Sequence, residues 1–349
     1  MANNYVFLVH GMGEHSAKWS ERWQTCIANN AKLFAPYADG SAKLGDDVAF
    51  EEITYDEVFD EDYLSVWQDV AGAAASPMLP PAVQIVLEEI AQSPNAKLPA
   101  FFWKSAMDVV LWATFPQARE AVVAKVTDKL MAGIGRAQAD GASIHMLAHS
   151  LGTSVIHDAL LCGAAKPESA KVFDPKKGGF QWKSYTTVAN VSRLLTASES
   201  PSDHLGVESF RPHNSRVRPG DLVGTFVNVQ HVLDPFTFPR TFKPDWGNLA
   251  FWPERPDRYD ELIHIHDLET QFDHPLVARR CLRLFTGRNN LGRPAEMDAA
   301  WHRYEQKYGR SGVAGFDELK ALIEPDAERK LGAGELARYL ATYAKEVLP

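Results

Sequence analysis

The hydrophobic positions of this chain follow two spacings in turn. Compact runs of β-branched and aromatic residues fall at 5–9, 48–54, 185–190, 222–229 and 261–266, and another starts at Ser143 and ends in Ala148-His149-Ser150-Leu151-Gly152. These read as buried strands. Between them, apolar residues recur at helical spacing. Trp19, Trp23, Ile27 and Ala31 follow Ser16, a candidate cap, and Ala121, Val122, Val126, Leu130 and Ile134 lie within 117–140, closed by Gly141. Thr153, Val155, Ile156, Ala159 and Leu160 begin directly after the serine turn, and 277–285 follows the last strand. Strands alternating with helices predict right-handed crossovers and an α/β fold, a mostly parallel sheet of about six strands covered on both faces.

The pattern breaks in three places. Residues 63–115 carry Pro77, Pro80, Pro81, Pro94 and Pro99 among apolar pieces, which reads as a helical insertion. It leaves the carboxyl end of the second strand, where ligands of open α/β sheets gather. It is therefore a candidate lid, although Phe101, Phe102, Trp103, Trp112 and Phe115 could equally bury it against the main domain. A loop insertion at 198–220 leaves the fourth strand at the same edge. After Gly292 the chain is helical in pieces, with Trp301, Tyr304 and Tyr308 on one and Leu336, Tyr339, Leu340 and Tyr343 on another. The expected organisation is a main domain over 1–286 and a helical C-terminal extension over 287–349.

Composition narrows the partners. In 349 residues, 45 acidic side chains oppose 36 basic ones, a net charge of −9 that argues against nucleic acid. The hydrophobic fraction of 45% is ordinary for a soluble globular protein. Cys26, Cys162 and Cys281 are sparse and lack metal-ligand spacing, which reads as reduced thiols. A strand at residues 5–9 leaves no room for a signal peptide, and no apolar run reaches the roughly eighteen residues of a membrane span. A cytoplasmic protein is expected. The chain shows no H-E-x-x-H, dinucleotide or P-loop motif, so neither metal nor cofactor is expected, and the acidic run 56–62 reads as a solvated face.

The candidate chemistry sits at Ser150. A serine on a sharp strand-to-helix turn holds its hydroxyl out above helix amides, as a nucleophile requires. Together, Val6-Phe7-Leu8-Val9-His10-Gly11-Met12-Gly13 and Ala148-His149-Ser150-Leu151-Gly152 resemble the oxyanion loop and nucleophile turn of the α/β-hydrolase fold, in its lipase and esterase branch. Ala148 stands where that pattern has its first glycine. The resemblance implies that the Met12 and Leu151 amides form the oxyanion hole, and that the two leading antiparallel strands of the full fold are missing.

The resemblance also implies an acid and a base, in the chain order serine, acid, histidine. Asp234, before Pro235 and just past the fifth strand, fits the acid; its plain alternative is a turn residue. The base must reach back over the serine from the end of the last strand. His266 fits best, at that end, while His274 before Pro275 is the alternative base and His264 lies within the strand pattern. His149 and His10 read as residues that line or brace the site, and His145 as core. The expected activity is a serine hydrolase cleaving carboxylic esters, of a small molecule or a lipid. An acyltransferase or thioesterase with the same triad, or a non-catalytic interaction module of this fold, are the alternatives.

Overall fold

The computed structural model describes residues 2–11, 18–56, 58, 112, 116–177, 179–192, 220–231, 234, 237 and 266–308. In chain order these form β1 (Asn4–Val9), α1 (Glu21–Ala31), α2 (Leu44–Asp47), β2 (Val48–Ile53), α3 (Pro116–Ala139), β3 (Ser143–His149), α4 (Leu151–Ala165) and α5 (Pro167–Phe173). There follow β4 (Trp182–Val188), β5 (Val223–Val229), α6 (Leu268–Phe272), α7 (Pro275–Thr286) and α8 (Pro294–Tyr308). The architecture is α/β, and among the described residues five strands form one all-parallel sheet of order β2-β1-β3-β4-β5.

Each face of the sheet is covered by helices whose apolar stripes match the alternation of the strands. Phe7, Val9, Met146 and Ala148 point to α3 and α4, where Val122, Val126, Leu130, Ile134, Val155 and Ile156 meet them. Val6, Leu8, Leu147 and Val188 point the other way, against Trp23 and Ile27 of α1 and Val277, Cys281 and Phe285 of α7. Side chains of this size contribute about 1.5–3 kcal/mol each when fully buried. The alternating stripes thus fix which face each strand presents, because a one-residue slip would expose them all.

This order places a topological switch point between β1 and β3: the chain leaves β1 for β2 on one side and crosses back to β3 on the other. Ligands of open α/β sheets bind beyond the carboxyl ends of strands at such a point. Val9 pairs with Ala148, and His149 with Val188, so the ends of β1, β3 and β4 lie level. His10-Gly11 and Ser150 are brought side by side.

Several boundaries differ from the sequence reading. The predicted cap Ser16 lies outside the described residues, and α1 instead begins after Ser20, whose hydroxyl and amide both donate to Glu52 Oε1 (2.6 and 3.0 Å). β4 starts three residues early and stops at Val188, because Ala189 turns to φ 52° and Asn190 Oδ1 accepts from the Ser192 amide. Of the expected last strand, residues 261–265 lie outside the described residues, and His266 belongs to a helical turn leading into α6. The candidate lid at 63–115 is described only at Trp112, which is buried in the core on the α3/α4 face. The loop at 198–220 is described only at Gly220.

After Gly287, whose φ of 69° ends α7, α8 packs back on the domain. Lys307 and Tyr308 both donate to Asp273 Oδ2 (2.5 and 2.9 Å), and Arg303 donates to the carbonyl of Asn29. Residues 309–349, with the second helical pattern of the tail, lie outside the described residues. Among the described residues, no helix is long and apolar enough to cross a membrane.

Candidate active site

Ser150 occupies the one residue between β3 and α4, at φ 52° and ψ −126°. A non-glycine residue in such a conformation stores about 1–3 kcal/mol of strain and persists only where its surroundings hold it. Here the Ser150 amide donates to the Val188 carbonyl (3.0 Å), and the Ser150 carbonyl accepts from both the amide and the hydroxyl of Thr153 (2.9 and 2.6 Å). Strand β4 and the first turn of α4 therefore fix the serine. Two glycines make room around it. A Cβ on Gly152 would collide with the carbonyl oxygen of His10, and one on Gly11 would stand 2.8 Å from Ser150 Cβ.

Three of the residues singled out in the sequence meet at this turn. His266 Nε2 lies 2.8 Å from Ser150 Oγ, and His266 Nδ1 lies 2.9 Å from each carboxylate oxygen of Asp234. A carboxylate only accepts, so Nδ1 carries the proton and donates, which leaves Nε2 to accept from the serine hydroxyl. Asp234 is fully buried. Its backbone is held in turns, its amide donating to the His231 carbonyl and its own carbonyl accepting from the Thr237 amide (3.1 Å each). Gln271 Nε2 approaches Asp234 Oδ2 at 3.4 Å. The arrangement can take a proton from the serine at one imidazole nitrogen while holding the resulting charge at the other.

The loop after β1 is braced from below. Tyr55, just past β2, shares its hydroxyl proton between the carbonyls of His10 (2.9 Å) and Gly11 (2.8 Å), and its ring stacks on His10 with centroids 4.3 Å apart. His10 Nδ1 donates to the Gly11 carbonyl, and Nε2 stands 3.4 Å from Asp56 Oδ1. Asp56, read from the sequence as part of a solvated face, is instead a partner of this loop. Leu151 opens α4, and the first amides of a helix have no carbonyl partner within it. Met12 lies outside the described residues.

The other histidines stand apart. His274, the alternative base, precedes α7 with its ring against Trp301 and Tyr304 of α8 (centroids 5.0 and 5.3 Å), and neither ring nitrogen is hydrogen-bonded among the described residues. Burial pulls its pKa down to about 4. His145 is core, between Ser184 Oγ and Asn4 Oδ1, and burial, helped by the Lys183 charge, lowers it to about 4. His231 is lowered by burial to about 3, against the opposing pull of the Asp234 charge. His264 lies outside the described residues.

Sequence reasoning missed Tyr55, Gln271 and His231. Gln271 carried no local signal, since its approach to Asp234 spans 37 residues of chain. Tyr55 carried none, because its role comes from β2 lying beside β1. Among the described residues, no cluster of three or more histidine, cysteine or acidic side chains could hold a metal ion. Comparison with models of protein families, with curated proteins and with solved structures finds no match to this chain.

Proposed function

We propose that this protein is a serine hydrolase of the α/β-hydrolase fold that cleaves carboxylic esters through an acyl-enzyme. One observation carries the reading: the His266 imidazole bridges Ser150 Oγ and both oxygens of Asp234 at hydrogen-bond distance. The strained serine turn and the chain order serine, aspartate, histidine support it.

In the cycle, Ser150 Oγ attacks the ester carbonyl as its proton passes to His266 Nε2. Asp234 stabilises the imidazolium at Nδ1. The Leu151 amide, with that of Met12, holds the oxyanion; losing one such donor typically costs about a hundred- to thousandfold in rate. Collapse expels the alcohol, which takes the proton from Nε2. Water then gives its proton to the same nitrogen and attacks the acyl-serine, and collapse releases the acid as Ser150 Oγ takes that proton back from Nε2. A cytoplasmic setting fits the three free thiols Cys26, Cys162 and Cys281.

The test is turnover of p-nitrophenyl esters of short and long acyl chains, together with labelling by a fluorophosphonate whose adduct is mapped by peptide mass spectrometry. The wild-type protein should be modified at Ser150, and Ser150→Ala should lose both reactions while keeping its unfolding transition. Ester turnover that survives Ser150→Ala sinks the assignment, as does a wild-type protein inert to both reagents.

A further inference from the structure

We propose that His149 is a positioning residue for the general base: its imidazole anchors the main chain of His266 to the strand that carries the nucleophile. The proposal rests on the triad reading above.

The anchor is a hydrogen bond. His149 Nε2 lies 2.6 Å from the carbonyl oxygen of His266. That oxygen can only accept, so Nε2 holds a proton and donates it. The same nitrogen keeps its proton when the ring is neutral in this tautomer and when it is doubly protonated, so the anchor persists across pH. It also means that this nitrogen is no second base for Ser150.

The rest of the ring is fixed from other sides. Trp23 of α1 meets it edge to face, with centroids 5.5 Å apart and planes at 79°. On the oxyanion side, a Cβ on Gly11 would come within 3.3 Å of His149 Nδ1. The His266 ring lies 5.0 Å away, tilted by 52°. One side chain thus contacts or abuts a covering helix, the loop after β1 and the residue that carries the base.

The need for an anchor follows from how the two reacting residues are built in. Ser150 is fixed by β4 and α4 through its own backbone. His266 belongs to no strand of the sheet; it sits in a turn two residues before α6. The 2.8 Å between Nε2 and Oγ therefore depends on how that turn is held against β3. His149, the last residue of β3, is the neighbour of Ser150 in the chain and holds the turn directly. A base displaced by about 1 Å loses on the order of a hundredfold in rate, because proton transfer requires the hydrogen bond already formed.

Three variants test this. His149→Phe keeps a ring against Trp23 but has no donor. In His149→Gln the amide nitrogen reaches about as far as Nε2, whereas that of His149→Asn is one methylene too short. In ester turnover His149→Phe should lose about ten- to a hundredfold in kcat with KM little changed, and His149→Gln should recover most of it. The downfield proton resonance of the His266–Asp234 hydrogen bond should shift in the Phe variant and return in the Gln variant. Should His149→Phe fail to fold, the Gln and Asn variants make the same comparison, with Gln the more active. Equal activity of Phe and Gln, or of Gln and Asn where Phe does not fold, overturns the proposal by showing that the ring only fills space. A wild-type protein that neither labels at Ser150 nor turns over esters removes the triad reading and this proposal together. A reactive wild type with a fully active His149→Phe removes the positioning role alone.

Discussion

The space between Gly11 and Ser150 is tight enough to give a quantitative prediction for Gly11→Ala. The added Cβ would lie 2.8 Å from Ser150 Cβ and 3.3 Å from Ser150 Oγ, whereas ordinary contact begins at 3.4 Å. The difference between 2.8 and 3.4 Å requires a shift of about 0.6 Å. Neither side yields easily. Ser150 is tied to Val188 and Thr153, and the Gly11 carbonyl accepts from Tyr55 and His10. If Ser150 takes the whole shift directly away from His266, its 2.8 Å hydrogen bond opens to about 3.4 Å, past the reach of proton transfer. Overpacking of this kind costs about 1–3 kcal/mol of stability, which leaves the fold in place, while reactivity falls by about a hundredfold. The assay is the second-order rate of fluorophosphonate labelling at Ser150, with urea unfolding run alongside. A folded Gly11→Ala protein that labels within about threefold of the wild-type rate would refute the reasoning.

Asp234→Asn can offer its amide N–H to His266 Nδ1, which forces the proton onto Nε2; ester turnover should fall by about a thousand- to ten-thousandfold, and a loss under tenfold would show that the carboxylate does not set the tautomer. Ser150→Gly relieves the strain at φ 52° that Ser150→Ala retains, so the Gly variant should be about 1 kcal/mol more stable in urea; equal stabilities would mean that the turn is unstrained. His274 is charged near pH 6.5 in the unfolded chain but only near pH 4 in the fold, so its contribution is complete above about pH 6.5 and is lost as pH falls. His274→Phe should therefore flatten the fall of unfolding free energy between about pH 6 and pH 5 by about 1 kcal/mol per pH unit. An unchanged slope would place that proton elsewhere.

What the chain's pattern disclosed, and what it hid, divides by the range of the forces involved. β1, β3, β5 and the stripes of α1, α3 and α7 were legible because each presents a full period of apolar residues to one face. The end of β4 was not, since it depends on Ala189 adopting a positive φ that alanine does not advertise. The serine turn was legible as a motif, but the choice between His266 and His274 was open. His266 ends the last apolar run and His274 follows it, and what separates them is tertiary. α8 folds back to cover His274 with Trp301 and Tyr304, while the turn at His266 is drawn over β3. A side chain's reach across such distances leaves no mark in local spacing.

Ala148 shows the same distinction at a single atom. The sequence pattern asks for glycine on both sides of the serine, yet only one side faces a backbone. Ala148 is the sixth residue of β3, paired with Val9 and Thr187, and its methyl points into the apolar layer between the sheet and α3 and α4, where a side chain is welcome. Gly152 points the other way, at the carbonyls of Val9 and His10, where the first turn of α4 presses on the end of β1. That approach sets the Leu151 amide and the loop after β1 at their present separation, and a methyl there would push the two apart. Close approach, and hence the need for glycine, falls on Gly152 and on Gly11 across from it. Position 148 needs only to be small enough for the core, and alanine is.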